Sequence, residues 1–254
     1  MKSMNAVVAA AAVLIVSIGS AASAAEIKLG GGGASIASIF VPVKGAYEKA
    51  TGNNLIILQS TPKDGLKQLW NGQLDAAVSA VGIDGMIAGA EKDGVKVDKS
   101  GLRIAEVGIN KTVVFVHPSN RVAALNKEQM KGLFTGRIAN WKEVGGADEP
   151  VLVVWGKNSP GQNALFTKII LDGEKVTPEN LETTDYKGIK ESVASNPGAI
   201  GIDPLGMVDG TVKAVKPSPE VVSPVLLITR GTPAAPVSQL LDYIKAQGKN
   251  YIKE

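Results

Sequence analysis

The 254-residue chain has no cysteine, a single histidine and only 4% aromatic residues. Without cysteine there can be no disulfide, no lipid-bearing N-terminal cysteine and no thiolate metal site. The one histidine, His117, gives a Ser-His-acid arrangement a single candidate base, and with scattered carboxylates it makes no metal cage. Neither a metal nor a cofactor is therefore expected. Charge of one sign is also missing. The 27 Lys+Arg face 24 Asp+Glu, a net +3 that is mixed along the chain, which argues against nucleic acid as a partner. Long hydrophobic runs are absent too, because Ala6 to Ile18 falls short of the ~20 residues needed to span a bilayer.

That short run has another meaning. It follows Lys2 and precedes Ala22-Ser23-Ala24, a small-x-small pattern that signal peptidase accepts. Residues 1–24 therefore read as a signal peptide cleaved before Ala25, and the mature protein as soluble and periplasmic.

What the chain does have is 44% hydrophobic residues and 29 glycines. Strand and helix signals alternate: Ile27–Leu29, a helix from Ser35 to Thr51 closed by Gly52, Asn54–Gln59, a helix from Pro62 to Trp70, Asp75–Ala80, Leu102–Gly108 and Lys111–His117. The pattern restarts after His117-Pro118. Asn126 caps a helix to Phe134, Val151–Trp155 is a strand, Ser159–Leu171 a helix, and Thr177-Pro178-Glu179 starts a short one. Gly198–Ile202, Val221–Thr229 and a final helix Ser238–Gln247 complete an α/β chain with mostly parallel strands.

The helix starts carry the chemistry. Ser159-Pro160-Gly161-Gln162 reads as a capping box, with proline at the first helical position and Gln162 reaching back. Thr61-Pro62-Lys63-Asp64 has the same grammar, and Ser35 follows Gly30–Gly33 and Ala34. Such termini offer unpaired N–H groups to an anion. Thr177-Pro178-Glu179 shows that the same grammar also serves plain capping. One charge-assisted hydrogen bond contributes ~1.5–3 kcal/mol, against about 8 for micromolar affinity, so several starts must converge.

The segment LNKEQMKGLFTGRIANWKEVGG, Leu125 to Gly146, resembles a recurring stretch of the phosphate ABC transporter substrate-binding proteins, through Phe134, Gly136, Ile138, Asn140, Trp141 and Gly145-Gly146. The glycine-rich start, VHPSN at 116–120, GAIGI at 198–202 and VLLITRG follow in the family's order. The resemblance implies a two-lobed type II periplasmic binding protein fold with a two-strand hinge. Residues 25–115 plus 220–254 would form lobe one and 116–219 lobe two. It also implies a small anion as ligand, phosphate or a related oxyanion, and an ABC transporter permease as partner of a monomer that is not an enzyme. Carried over residue by residue, the ligand contacts are Ala34, Ser35, Ser60, Thr61, Ser79, Ser159, Gly161 and Gln162. The chain departs from the family at Ala80, where an aspartate or arginine is expected, and at Trp155, which holds the place of an arginine. Lys157 is the candidate replacement cation.

Two rivals follow. Ser60-Thr61-Pro62-Lys63 fits the Ser-x-x-Lys of penicillin-binding enzymes, yet no Ser-Asp-Asn or Lys-Thr-Gly accompanies it. Gly30–Gly33 lacks the third glycine of a dinucleotide loop. The alternative to transport is a scaffold of the same fold with a different ligand and a sensing or structural role, which the altered Ala80 and Trp155 positions favour.

Overall fold

A computed structural model describes residues 24–252, so all but the last residue of the expected signal peptide lies outside the described residues. The chain begins with β1 (Glu26–Gly32), whose apolar residues alternate inward. It runs directly into α1 (Gly33–Ser35), a π-helical turn (Ile36–Phe40) and α2 (Val41–Thr51), which Gly52 ends in a left-handed conformation. Then come β2 (Asn54–Ser60), α3 (Pro62–Trp70), β3 (Ala76–Ser79) and α4 (Ile83–Lys92). Strand β1 pairs in parallel with β2 and β3.

The 15-residue β4 (Leu102–Val116) leaves this lobe for the second. Two strands were expected there, split near Gly108, but the ladder continues. Next come β5 (Ala124–Asn126), α5 (Lys127–Phe134), β6 (Leu152–Gly156) and α6 (Pro160–Ile169). They are followed by β7 (Asn180–Thr183), α7 (Tyr186–Ser195), β8 (Ala199–Pro204) and β9 (Lys213–Ser218). The chain returns on β10 (Val221–Arg230) and closes with α8 (Ala235–Gln247). The helix expected at Thr177 does not form. Thr177 Oγ1 instead accepts from Glu179 N, and its carbonyl oxygen from Asn180 Nδ2, turning the chain into β7. Helix α8 starts at Ala235 rather than Ser238, because Pro236 fits the first turn.

A single sheet runs in the order β2-β1-β3-β10-β4-β8-β6-β7, with helices on its faces. Strands β4 and β10 are antiparallel from Leu102↔Arg230 to Thr112↔Val221, with a register shift at Val225/Leu226. Beyond Thr112, β8 lies on one side of β4, and β9 takes over on the other. These two strands are the only continuous β structure joining the lobes among the described residues. Each lobe has its own apolar packing: Leu66, Met86 and Ile228 under α3 and α4, and Phe134, Trp141 and Phe166 under α5 and α6.

The motif that carries the family resemblance serves this second core. Asn126 and Asn140 each form a capping box. Trp141 is 1% exposed and its Nε1 donates to the Gly198 carbonyl oxygen at 2.9 Å, fastening the motif to the start of β8.

Candidate functional site

Between the lobes lies a cleft of about 400 Å3, counting space open to solvent. Lobe one contributes Gly32, Gly33, Ala34, Ser60 and Val81. The joining strands contribute Asn110, Thr112 and Ser223, and lobe two contributes Asn158, Ser159, Gly161, Gln162 and Tyr186. The walls approach closely. A Cβ on Gly33 would sit 2.5 Å from Tyr186 Cε2, and one on Gly161 only 2.4 Å from Val81 Cγ2. Both contacts cross from one lobe to the other, so glycine is required there for closeness.

Helix α6 aims its N-terminus into this space. The preceding loop is fastened by backbone bonds, Lys157 N to Thr183 O at 2.8 Å and Asn158 N to Thr184 O at 3.1 Å. Asn163 Nδ2 also holds the Gly156 carbonyl oxygen at 2.8 Å. The expected capping box is absent. Ser159 has φ −118° and ψ 46°, outside the extended geometry of an N-cap, and its side chain makes no cap bond. Gln162 reaches across instead, and its Nε2 donates to the Ile202 carbonyl oxygen at 3.0 Å. Ser159 Oγ and Gln162 Oε1 are thereby left buried without a protein hydrogen-bond partner of good geometry. Both residues are at least nine-tenths buried, at 2% and 5% exposed. The Tyr186 phenol lies near Ser159 and the Ala34 backbone N–H, and burial pushes its pKa above the ordinary tyrosine value.

Of the residues singled out in the sequence, Ala34, Ser60, Ala80, Ser159, Gly161 and Gln162 line the cleft. Four others do not. The Ser35 hydroxyl donates to Gly32 O at 2.7 Å, and the Ser79 hydroxyl donates to Val81 O at 2.9 Å and accepts from Val81 N. Thr61 caps α3 through Asp64 N at 3.2 Å. Lys157 corrects the expectation of a replacement cation, since its Nζ pairs with Glu182 at 2.6 Å on an exposed surface. Among the described residues no lysine or arginine lines the cleft. Trp155 is no cleft residue either. It packs edge-on to Phe134 with centroids 6.0 Å apart, inside lobe two.

The sequence reading missed Asn110, Thr112, Ser223 and Tyr186, polar residues placed by two crossing strands and by an unforeseen α7. It also missed Asp203. This aspartate is 0% exposed and both carboxyl oxygens lack a partner of good geometry. Burial raises its pKa well above the ordinary aspartate value, outweighing the adjacent Gln162 amide and the charge of Lys190. An acid following the apolar run Ala199-Ile200-Gly201-Ile202 was a visible signal for it.

A family profile described as a PBP superfamily domain matches residues 19–216. The chain belongs to that superfamily. Within it, the chain is 31% identical over 171 residues to the phosphate-binding protein PstS of Bacillus subtilis (strain 168). That alignment covers 62% of this chain and 56% of PstS, so it spans little more than half of that protein's length. Two solved PBP folds overlay on 90% of the chain. One is a substrate-binding protein of Clostridium perfringens with bound phosphate, at 23% identity, TM-score 0.73 and 99% of its own length. The other is an ABC-type phosphate transport receptor from Vibrio cholerae, at 21% identity, TM-score 0.62 and 100% of its length. All three are named as binding or transport proteins.

Proposed function

We propose that this PBP-superfamily chain is an exported solute-binding protein that clamps a small oxyanion, phosphate foremost, between its lobes and delivers it to an ABC permease. The observation that carries the reading is the start of α6, where the buried Ser159 hydroxyl, which makes no cap bond and lies beside the Tyr186 phenol, lines the cleft together with Gly33 and Ala34 of the other lobe. Helix N–H groups and the positive dipole end suit an anion there. The likeness to PstS supports phosphate, and the leader-like residues 1–24 support export. Calorimetry on the chain from Ala25 with phosphate and sulfate tests the reading. Ligand at ~100 times its dissociation constant adds about 2.7 kcal/mol of stability, and small-angle scattering should show compaction.

The cation-free wall favours a second reading, a ligand less charged than phosphate bound in a sensing role. A response to small organic acids, with none to phosphate or sulfate, would select it.

A further inference from the structure

The Tyr186 ring, 7% exposed, reaches from the first turn of α7 in lobe two to the backbone of lobe one. A Cβ on Gly33 would stand 2.5 Å from its Cε2 and 3.1 Å from its Cδ2. The phenol end lies beside Ser159 and the Ala34 backbone. Asp185 caps α7, its Oδ1 accepting from Gly188 N at 2.9 Å, which fixes the backbone from which the ring projects.

Two spaces meet at this ring. One is the cleft. The other is a hollow of about 610 Å3, counting space open to solvent, between Ile36, Val41 and Pro42 of lobe one and Lys187 and Met207 of lobe two. Among the described residues, Tyr186 alone lines both. The lobes touch again at the hollow, where a Cβ on Gly206 would fall 2.5 Å from the Ala37 carbonyl oxygen. Gly161 and Val81, the other close pair across the cleft, do not line the hollow. Tyr186 is therefore the side chain whose removal would join the two spaces.

We propose that Tyr186 is a specificity-determining residue of the cleft: its ring holds the ligand to a compact oxyanion and excludes one that carries a bulky organic substituent. A substituent directed at the ring would collide with it, while the hollow that could house an aryl group lies behind. Rejection by a filled space is a common way for a site to discriminate by size. This ligand step rests on the anion reading above; the partition of the two spaces does not.

Calorimetry on the chain from Ala25 with inorganic phosphate and phenyl phosphate tests the ligand step. Wild type should bind phosphate roughly 100 times more tightly than phenyl phosphate. Tyr186→Ala should narrow that ratio about tenfold or more, while Tyr186→Phe, which keeps the ring, should preserve it. Wild type taking both ligands alike, no relative gain of phenyl phosphate in Tyr186→Ala, or an equal gain in Tyr186→Phe would overturn the step. Phenol tests the partition without any anion. By filling the space the ring vacates, it should raise the Tm of Tyr186→Ala and leave wild type and Tyr186→Phe unmoved. No such rise overturns the partition. Tyr186→Leu also lacks the ring and carries both arms if the alanine variant does not fold. If phosphate does not bind at all, the anion reading and the ligand step fall together, and the phenol result still decides the partition.

Discussion

Ser38 Oγ donates to Asn110 Oδ1 at 2.8 Å, and both side chains are buried. The bond ties the π-helical turn of lobe one to the middle of β4, and it sets the orientation of an amide on the cleft wall. Asn110 Nδ2 has only long contacts, 3.4 Å to Thr112 Oγ1 and 3.5 Å to Ser223 Oγ. Its donors are therefore weakly engaged and face a space with no cation. Ser38→Ala should cost about 1–3 kcal/mol of stability by leaving a buried acceptor unpaired. Asn110→Asp should abolish phosphate binding by placing a negative charge on the wall. Urea unfolding and calorimetry measure the two effects. An unchanged unfolding midpoint in Ser38→Ala would show that the bond holds nothing in place.

Ser159 separates capping from binding. Its hydroxyl makes no cap bond, so Ser159→Ala should change stability by no more than ~0.5 kcal/mol. It should weaken anion binding by ~1–3 kcal/mol, the usual loss when a buried hydroxyl partner is removed. The opposite pattern, about 1 kcal/mol of stability lost with affinity intact, is what an ordinary N-cap would give.

Sequence grammar revealed the alternation of β1, β2, α3, β6 and α6, because apolar period and proline-led helix starts are local signals. It also led to the cleft through Ala34, Ser159 and Gln162. It could not show that Ser35 and Ser79 turn their hydroxyls back onto their own backbone, since that depends on side-chain rotation within a tight turn. Nor could it show that Gln162 leaves Ser159 for Ile202, because that bond joins residues 40 apart in sequence. Asn110 and Ser223 were illegible for the same reason. Each is an isolated polar residue in a strand, and only the β4–β10 register brings them together.

Lys157 looked like the site's cation because it stands two residues before Ser159. The structure turns it outward onto Glu182, with 59% and 54% of the two side chains exposed. Exposed pairs contribute at most about 1 kcal/mol. Lys157→Gln should therefore leave phosphate affinity within about twofold at moderate salt, with a slight change in stability. A loss of tenfold or more would return Lys157 to the site and remove the case for a cleft built of neutral donors.

The acid end of the stability profile should be set by pairs such as Asp93 with Lys63 and Lys67. Hydrogen bonds from Lys63 and then Lys67 hold the Asp93 carboxyl down at about 2, below its ordinary 3.8. Because the folded value is the lower one, the contribution is fully present above the unfolded value and is lost as pH falls toward about 2. Asp203 has the opposite sign. The folded chain keeps a proton that the unfolded chain releases near ~3.9, so its contribution is largest in acid and declines as pH rises toward the folded value. Urea midpoints across this range for wild type, Asp93→Asn and Asp203→Asn resolve the two slopes. Asp93→Asn should be less stable than wild type at neutral pH and converge with it in strong acid. Asp203→Asn should gain on wild type as pH rises. Parallel curves for all three proteins would mean that neither carboxyl group is perturbed by the fold.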